Sequence, residues 1–160
     1  MSCFVAGTFA KVPVMGNKIR LTDNWEFLRQ DVGNIWELVR PVKKGQPEEQ
    51  PIWTKVTLPH CFNAEDAVAP DLNYYQGPGW YKTRLKLDNP YPDGRAALEF
   101  EGAGQKTDVY VYMTKVGSHV GGYDSWNVDI TDAVRTFLAS KDAERFGGEI
   151  PLSIRCDNTR

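Results

Sequence analysis

The chain has 160 residues, 41% of them hydrophobic and 25% charged, with a formal net charge of -2. That length points to one domain, and a domain of this size buries roughly 68–70% of the surface its unfolded chain exposes, enough for a core without staples. The near-neutral balance gives no electrostatic reason to expect nucleic acid, and no run of about 20 apolar residues supplies a membrane helix.

Met1 to Gly16 is mildly apolar and lacks the basic start of a secretory signal. It reads as a signal remnant or a flexible leader, so residues 1–17 are set apart from a domain over 18–160. A signal remnant fits a periplasmic or extracellular protein. Ile19 and Leu21 then alternate with Lys18, Arg20 and Thr22, which predicts a half-buried strand. Asp23-Asn24 is a turn signal, and Trp25 and Phe27 follow as a second short strand with its aromatic side inward. Ile35 to Val42 fits either a strand or a helical turn. Lys43 to Pro51, with Gly45, Pro47 and Pro51 among polar residues, reads as an exposed loop.

Trp53 to Leu58 alternates again, and Pro59 ends that strand because it cannot donate to a ladder. Asn63 to Asp71 reads as a loop with room for one helical turn. Gly79 to Leu87 is the clearest strand. Tyr81, Thr83, Leu85 and Leu87 share one face, and Lys82, Arg84 and Lys86 the other. The turn cluster Asn89 to Gly94 leads to a strand over Ala96 to Glu101, with Leu98 and Phe100 inward.

Asp108 to Met113 is rich in Val and Tyr, as strands prefer. Thr114-Lys115 is the expected hairpin turn, although neither residue takes positive φ easily. Val116 to Val120 returns, Gly121-Gly122 bends the chain, and Tyr123 to Ile130 makes another strand. Thr131-Asp132 reads as a helix start whose side chains cap free amides. Val134, Phe137 and Leu138 form the packed side of a helix over Ala133 to Leu138. Ser140 to Gly148 reads as a loop. Ile150, Leu152, Ile154 and Cys156 alternate along a last strand. About eight to ten short strands and one small helix predict an all-β sandwich or jelly roll.

The chemistry is thinner. Cys3, Cys61 and Cys156 are far apart, no Cys-x-x-Cys pair exists, and His60 and His119 are distant, so the spacing supports no zinc site. Buried free thiols, or one disulfide with a thiol left over, remain open. Glu99 and Glu101 share a strand face about 6.8 Å apart by two strand rises, inside the range glycosidases use. They alternate with Leu98 and Phe100, however, as a solvated face does. Ser118-His119 point to opposite faces of a strand, no Gly-x-Ser-x-Gly elbow exists, and Gly77-Pro78-Gly79 lacks the ending of a phosphate loop. The aromatics Tyr74, Tyr75, Trp80, Tyr81, Tyr123 and Trp126 suit stacking on sugars, but they suit filling a sandwich core better.

Several motifs occur in order: Trp53-x-x-Val56-x-Leu58-Pro59-His60, Tyr74-Tyr75-x-Gly77-x-Gly79-Trp80-Tyr81, Leu98-x-Phe100-x-Gly102, Val109-Tyr110-Val111, Val116-Gly117-x-His119-x-Gly121-Gly122-Tyr123, Asp129-Ile130-Thr131 and Ile154-Arg155-Cys156-Asp157-Asn158. Together, over roughly Ile19 to Asn158, they resemble the N-terminal domain of glycoside hydrolase family two, which includes β-galactosidases, β-glucuronidases and β-mannosidases. The resemblance implies a jelly-roll (galactose-binding-like) β-sandwich, the sugar-binding domain of a retaining β-glycosidase, here β-galactosidase-like. An immunoglobulin-like domain and a (β/α)₈ barrel follow in such enzymes, and the barrel carries both catalytic glutamates.

The resemblance therefore implies no catalytic residue, no metal and no cofactor within this chain, and no turnover by the chain alone. Its implied partners are those domains of the same parent chain and carbohydrate, in an oligomeric parent, with no nucleic acid or membrane. By position, Gln76 and Asp157 are the candidate sugar-rim residues. Two departures stand out: Thr114-Lys115 replaces the family's Asn-Gly hairpin, and His60-Cys61-Phe62-Asn63 replaces its His-Asp/Thr-Trp-Asn. A free-standing carbohydrate-binding module and an oligomerisation module are the competing readings.

Overall fold

Alternating apolar and polar residues sort most strands of this chain into an inner and an outer face. The computed structural model describes residues 3–10, 17–39, 53–58, 60–61, 77–86, 95–102, 105–121 and 125–158. In chain order the elements are β1 (Cys3–Ala10), β2 (Asn17–Arg20), β3 (Trp25–Leu28), α1 (Trp36–Val39), β4 (Thr54–Val56), β5 (His60–Cys61), β6 (Pro78–Leu85) and β7 (Ala96–Gly102). Then follow β8 (Lys106–Val111), β9 (Thr114–Val120), β10 (Trp126–Asp129), α2 (Thr131–Leu138), α3 (Asp142–Arg145) and β11 (Ile150–Asp157).

All pairings are antiparallel and form two sheets. One runs β10-β7-β1-β2, with β5 also paired to β1; the other runs β4-β3-β6-β11-β8-β9. A single core joins them. Leu98, Phe100 and Ile130 from the first side meet Tyr81, Val109 and Ile154 from the second, all fully buried. Each such side chain contributes about 1.5–3 kcal/mol on burial. On β11 the four alternating residues Ile150, Leu152, Ile154 and Cys156 are all buried. Cys156 forms no disulfide among the described residues.

The two sheets meet at one edge, where β9 of the larger sheet approaches β10 of the smaller. A Cβ on Gly117 would lie 3.1 Å from both Val128 methyl carbons, so glycine permits the close approach. Beside it the rings of His119 and Trp126 stack at 4.8 Å, and Trp126 stacks on Phe100 at 4.4 Å. The His119 ring thus packs at the seam between the sheets.

Several expectations change. Within residues 1–17, where the sequence suggests a leader, Cys3–Ala10 forms β1 and pairs with β7, β2 and β5. Cys3 and Cys61 are register partners in that pairing. The β8–β9 turn is Tyr112-Met113, two residues earlier than Thr114-Lys115. Tyr112 takes φ 54°, which costs a non-glycine residue about 1–2 kcal/mol. Its packing offsets that cost: its ring contacts Phe137 at 5.1 Å and Phe146 at 5.8 Å, and its hydroxyl accepts a hydrogen bond from Arg145 at 3.1 Å. Val116 is the extra residue of a bulge between Val109 and Tyr110.

The ambiguous Ile35–Val42 stretch is helical over α1, and the expected Ser140–Gly148 loop contains α3, so the described residues hold three short helices rather than one. Leu138 is exposed at the end of α2, while Val134 and Phe137 face the core. The Thr131 side chain does not cap α2, because its hydroxyl is engaged by Ala96 on β7. Asp129 Oδ1 accepts the Thr131 amide instead, at 2.9 Å.

Candidate functional site

Of the two sequence-derived rim candidates, Asp157 lies among the described residues, at the C-terminal end of β11. Asp157 is the last residue of that strand, opposite Pro78 on β6 and Lys106 on β8. Asn158, next in the chain, closes the end: its Oδ1 accepts the Gly77 amide at 2.8 Å. Gln76 precedes Gly77 and lies outside the described residues, as do Tyr74, Tyr75, Phe62 and Asn63. Asp157 thus lies beside Pro78, at the start of β6.

A charged cluster continues from Asp157 across the outer face of the larger sheet. Arg155 Nη2 lies 3.5 Å from Asp157 and donates to Asp31 Oδ2 at 3.1 Å. Asp31 Oδ1 accepts from Trp80 Nε1 at 3.2 Å and from the Gly33 amide at 3.4 Å. Trp80 and Arg155 are register partners, so one carboxylate spans two adjacent strands. Asp108, opposite Arg155 on β8, pairs with Lys115 at 2.9 Å. The Trp80 ring also packs on Tyr110 at 5.7 Å.

The protonation states follow from these contacts. Burial pushes the Asp31 carboxyl up, but the bonds from Trp80 and Arg155 outweigh it and hold it below its usual value. Burial works against the Arg155 charge, and Asp31 outweighs that too, which raises the guanidinium. At the other sheet, hydrogen bonding from Thr131, opposed by burial and reinforced by Arg95, holds Asp129 low. A general acid working near neutral pH needs a carboxyl moved up. Asp31 and Asp129 both move the other way.

The carboxylate pair considered in the sequence divides by environment. Glu101 is exposed and holds Arg20 through two bonds of 2.7 and 3.0 Å, while Glu99 is half-buried. Both face outward from β7, away from the core that Leu98 and Phe100 fill. Tyr81 fills the core, in line with the core-filling reading of the aromatics, whereas Trp80 is buried on the other face of β6 against Asp31 and Tyr110. Among the described residues, no three of His, Cys, Asp and Glu come together as metal ligands would.

Asp31 escaped the sequence reading. The signal was present: Asp31-x-Gly33 is the pattern of a side chain bonded to the amide two residues on, with Gly33 at φ 88°. Arg155 stood in the sequence only as an outward-facing residue within the Ile154-Arg155-Cys156-Asp157-Asn158 motif.

Known proteins resemble this chain in sequence and fold. The family model described as "Glycosyl hydrolases family 2, sugar binding domain" matches residues 21–139. A Parabacteroides merdae β-glucuronidase structure is 74% identical with a TM-score of 0.86, over 95% of this chain and 19% of that one. Bacteroides uniformis β-glucuronidase 3 is 65% identical with a TM-score of 0.85, over 90% of this chain and 19% of its own. A Bacteroides fragilis β-glucuronidase is 36% identical over 81 residues, 51% of this chain and 12% of that protein. The chain therefore spans less than a fifth of each of these relatives. With the family match running from β3 through α2, this chain belongs to glycosyl hydrolases family 2 as a sugar binding domain of that family.

Proposed function

We propose that this chain is the non-catalytic N-terminal sandwich of a retaining β-glycosidase, and that the parent acts on β-glucuronides rather than β-galactosides. It braces the catalytic barrel and completes one wall of the sugar pocket, with Gln76 and Asp157 at the rim. The observation that carries this reading is the 74% identity to the P. merdae β-glucuronidase over 95% of this chain but only 19% of that one. Identity at that level extends through packing and surface alike, so the two domains present similar faces to whatever follows them.

Asp31 and Asp129 are both committed to ties within the fold, Asp31 to Trp80 and Arg155 and Asp129 to Thr131 and Arg95. Glu101 is likewise committed, to Arg20 on an exposed sheet face. Asp157 keeps a partner in Arg155 while lying beside Pro78, which suits a residue that shapes a rim rather than one that reacts.

A chimera tests the reading. This chain replaces the corresponding segment of the P. merdae enzyme, and hydrolysis of nitrophenyl β-D-glucuronide and nitrophenyl β-D-galactoside is measured. The expected result is glucuronide turnover close to the parent's and none above buffer by the 160-residue chain alone. A folded chimera without activity, or turnover by the isolated chain, overturns it.

A further inference from the structure

Cys3 of β1 and Cys61 of β5 stand opposite each other as register partners in an antiparallel pair. Residues directly opposite in such a pair share one face of the sheet. Their Cα atoms lie about 4.5 or 5.5 Å apart, according to their place in the hydrogen-bond pattern. A disulfide spans Cα separations of about 4.4–6.8 Å. Either kind of pair therefore suits the bond without backbone movement.

The third cysteine is placed where it cannot compete. Cys156 lies on β11 in the middle of the larger sheet, fully buried in the core, with Gly79 and Thr107 as its register partners. β1 belongs to the smaller sheet. Packed sheets stand about 10 Å apart, beyond the roughly 7 Å at which two Cα atoms can be bridged. Of the pairings that three cysteines allow, register and layer leave Cys3 with Cys61.

The β1–β5 ladder is also the shortest among the described strands. Its register consists of Cys3↔Cys61 and Phe4↔His60, and β5 pairs with β1 alone. Two residue pairs offer little against the conformational entropy of holding β5 in place. A covalent link at one of them closes a loop of about 60 residues, which removes much freedom from the unfolded chain.

We propose that Cys3 and Cys61 form a cross-strand disulfide that pins β5 to β1, with Cys156 as the remaining thiol. The oxidant is a low-molecular-weight disulfide such as glutathione disulfide. One cysteine thiolate attacks it, releases one thiol and leaves a mixed disulfide. The opposite thiolate then attacks the protein sulfur of that link and releases the second thiol. One sulfur–sulfur bond breaks and one forms, and two electrons and two protons pass from the cysteines to the released thiols. The bond asks nothing of a parent enzyme, so its test is independent of the chimera.

The folded 160-residue chain is equilibrated with glutathione disulfide, alkylated in denaturant and mapped by mass spectrometry after tryptic digestion. The expected map holds alkylated Cys156 and one linked peptide pair, carrying Cys3 and Cys61, that separates on reduction. Cys3→Ser and Cys61→Ser should each abolish the linked pair, and Cys156→Ala should keep it. If Cys156→Ala fails to fold, the map of the unchanged chain still identifies the pair. Reduction should lower the Tm of the linked chain by about 5–15 °C and leave that of Cys61→Ser where it was. Three alkylated cysteines, a link to Cys156, glutathione retained on Cys3 or Cys61, or a Tm that reduction does not move overturns the proposal.

Discussion

The Thr131 hydroxyl pairs with Ala96 through both backbone groups, accepting its amide at 2.9 Å and donating to its carbonyl at 3.3 Å. Thr131 opens α2 and Ala96 opens β7, so one buried side chain joins a helix start to a strand start. The Asp129-Ile130-Thr131 run acquires its meaning here. Asp129 takes the Thr131 amide and, from outside, Arg95; Ile130 fills the core; Thr131 ties the corner.

Thr131→Val keeps the shape and removes the bonds. The Ala96 carbonyl still has the Ile130 amide, but the Ala96 amide loses its partner inside the protein. Urea unfolding should show a loss of about 1–3 kcal/mol with an unchanged m-value. A loss below the error of the extrapolation would show that the corner does not depend on this hydroxyl.

Gly117 offers a packing test. A side chain there must displace Val128, and the two strands on either side belong to different sheets. Gly117→Leu should destabilise by about 1–3 kcal/mol, the usual cost of overpacking, and should disturb Trp126 fluorescence through the adjoining ring stack. An unperturbed emission spectrum with full stability would mean that β9 and β10 separate freely.

Acid should weaken the fold through Asp31 and Asp129. Both carboxyls lie below the reference value of 3.8 in the folded state. A depressed folded value contributes stability above the unfolded value and loses it as pH falls through the folded one. Stability should therefore decline below about pH 4, and Asp129→Asn should flatten that decline while lowering stability at neutral pH. Both groups are substantially exposed, which limits the size of the effect. An identical acid profile in the variant would dismiss Asp129 as a contributor.

Asp31 also fastens the segment between β3 and α1 to the sheet. Asp31→Ala removes the Trp80 and Arg155 contacts together. Limited proteolysis should then cut more quickly between residues 29 and 39, with the β11 region still protected. Equal cutting rates would mean that α1 is held by Arg145 alone.

Strands were legible because alternation reports burial directly. Ile150 to Cys156 and Leu98 to Phe100 needed no partner to be read. The hairpin turn was misplaced because Tyr112 and Met113 look like strand residues. Only the pocket formed by Phe137 and Phe146, 25 or more positions away in the chain, shows why Tyr112 tolerates positive φ. The Thr131 cap failed for the same reason, since a distant backbone amide outcompeted the local ones. Asp157 closes β11 rather than following it, and its tie to Arg155 and the Asp31 bridge depend on register, which no single segment encodes. Gly117 was noticed as part of a motif, but its closeness to Val128 belongs to the joining of two sheets.

β11 lies between β6 and β8, in the middle of the larger sheet, although it is the last strand in the described chain. A ribosome that has not yet released this segment holds a sheet split in two, with both halves presenting unpaired backbone edges. Such edges attract other chains. Synthesis of this domain therefore passes through a vulnerable interval that ends only when Ile150–Asp157 slides into place, and a chaperone that shields open strands has its natural moment there.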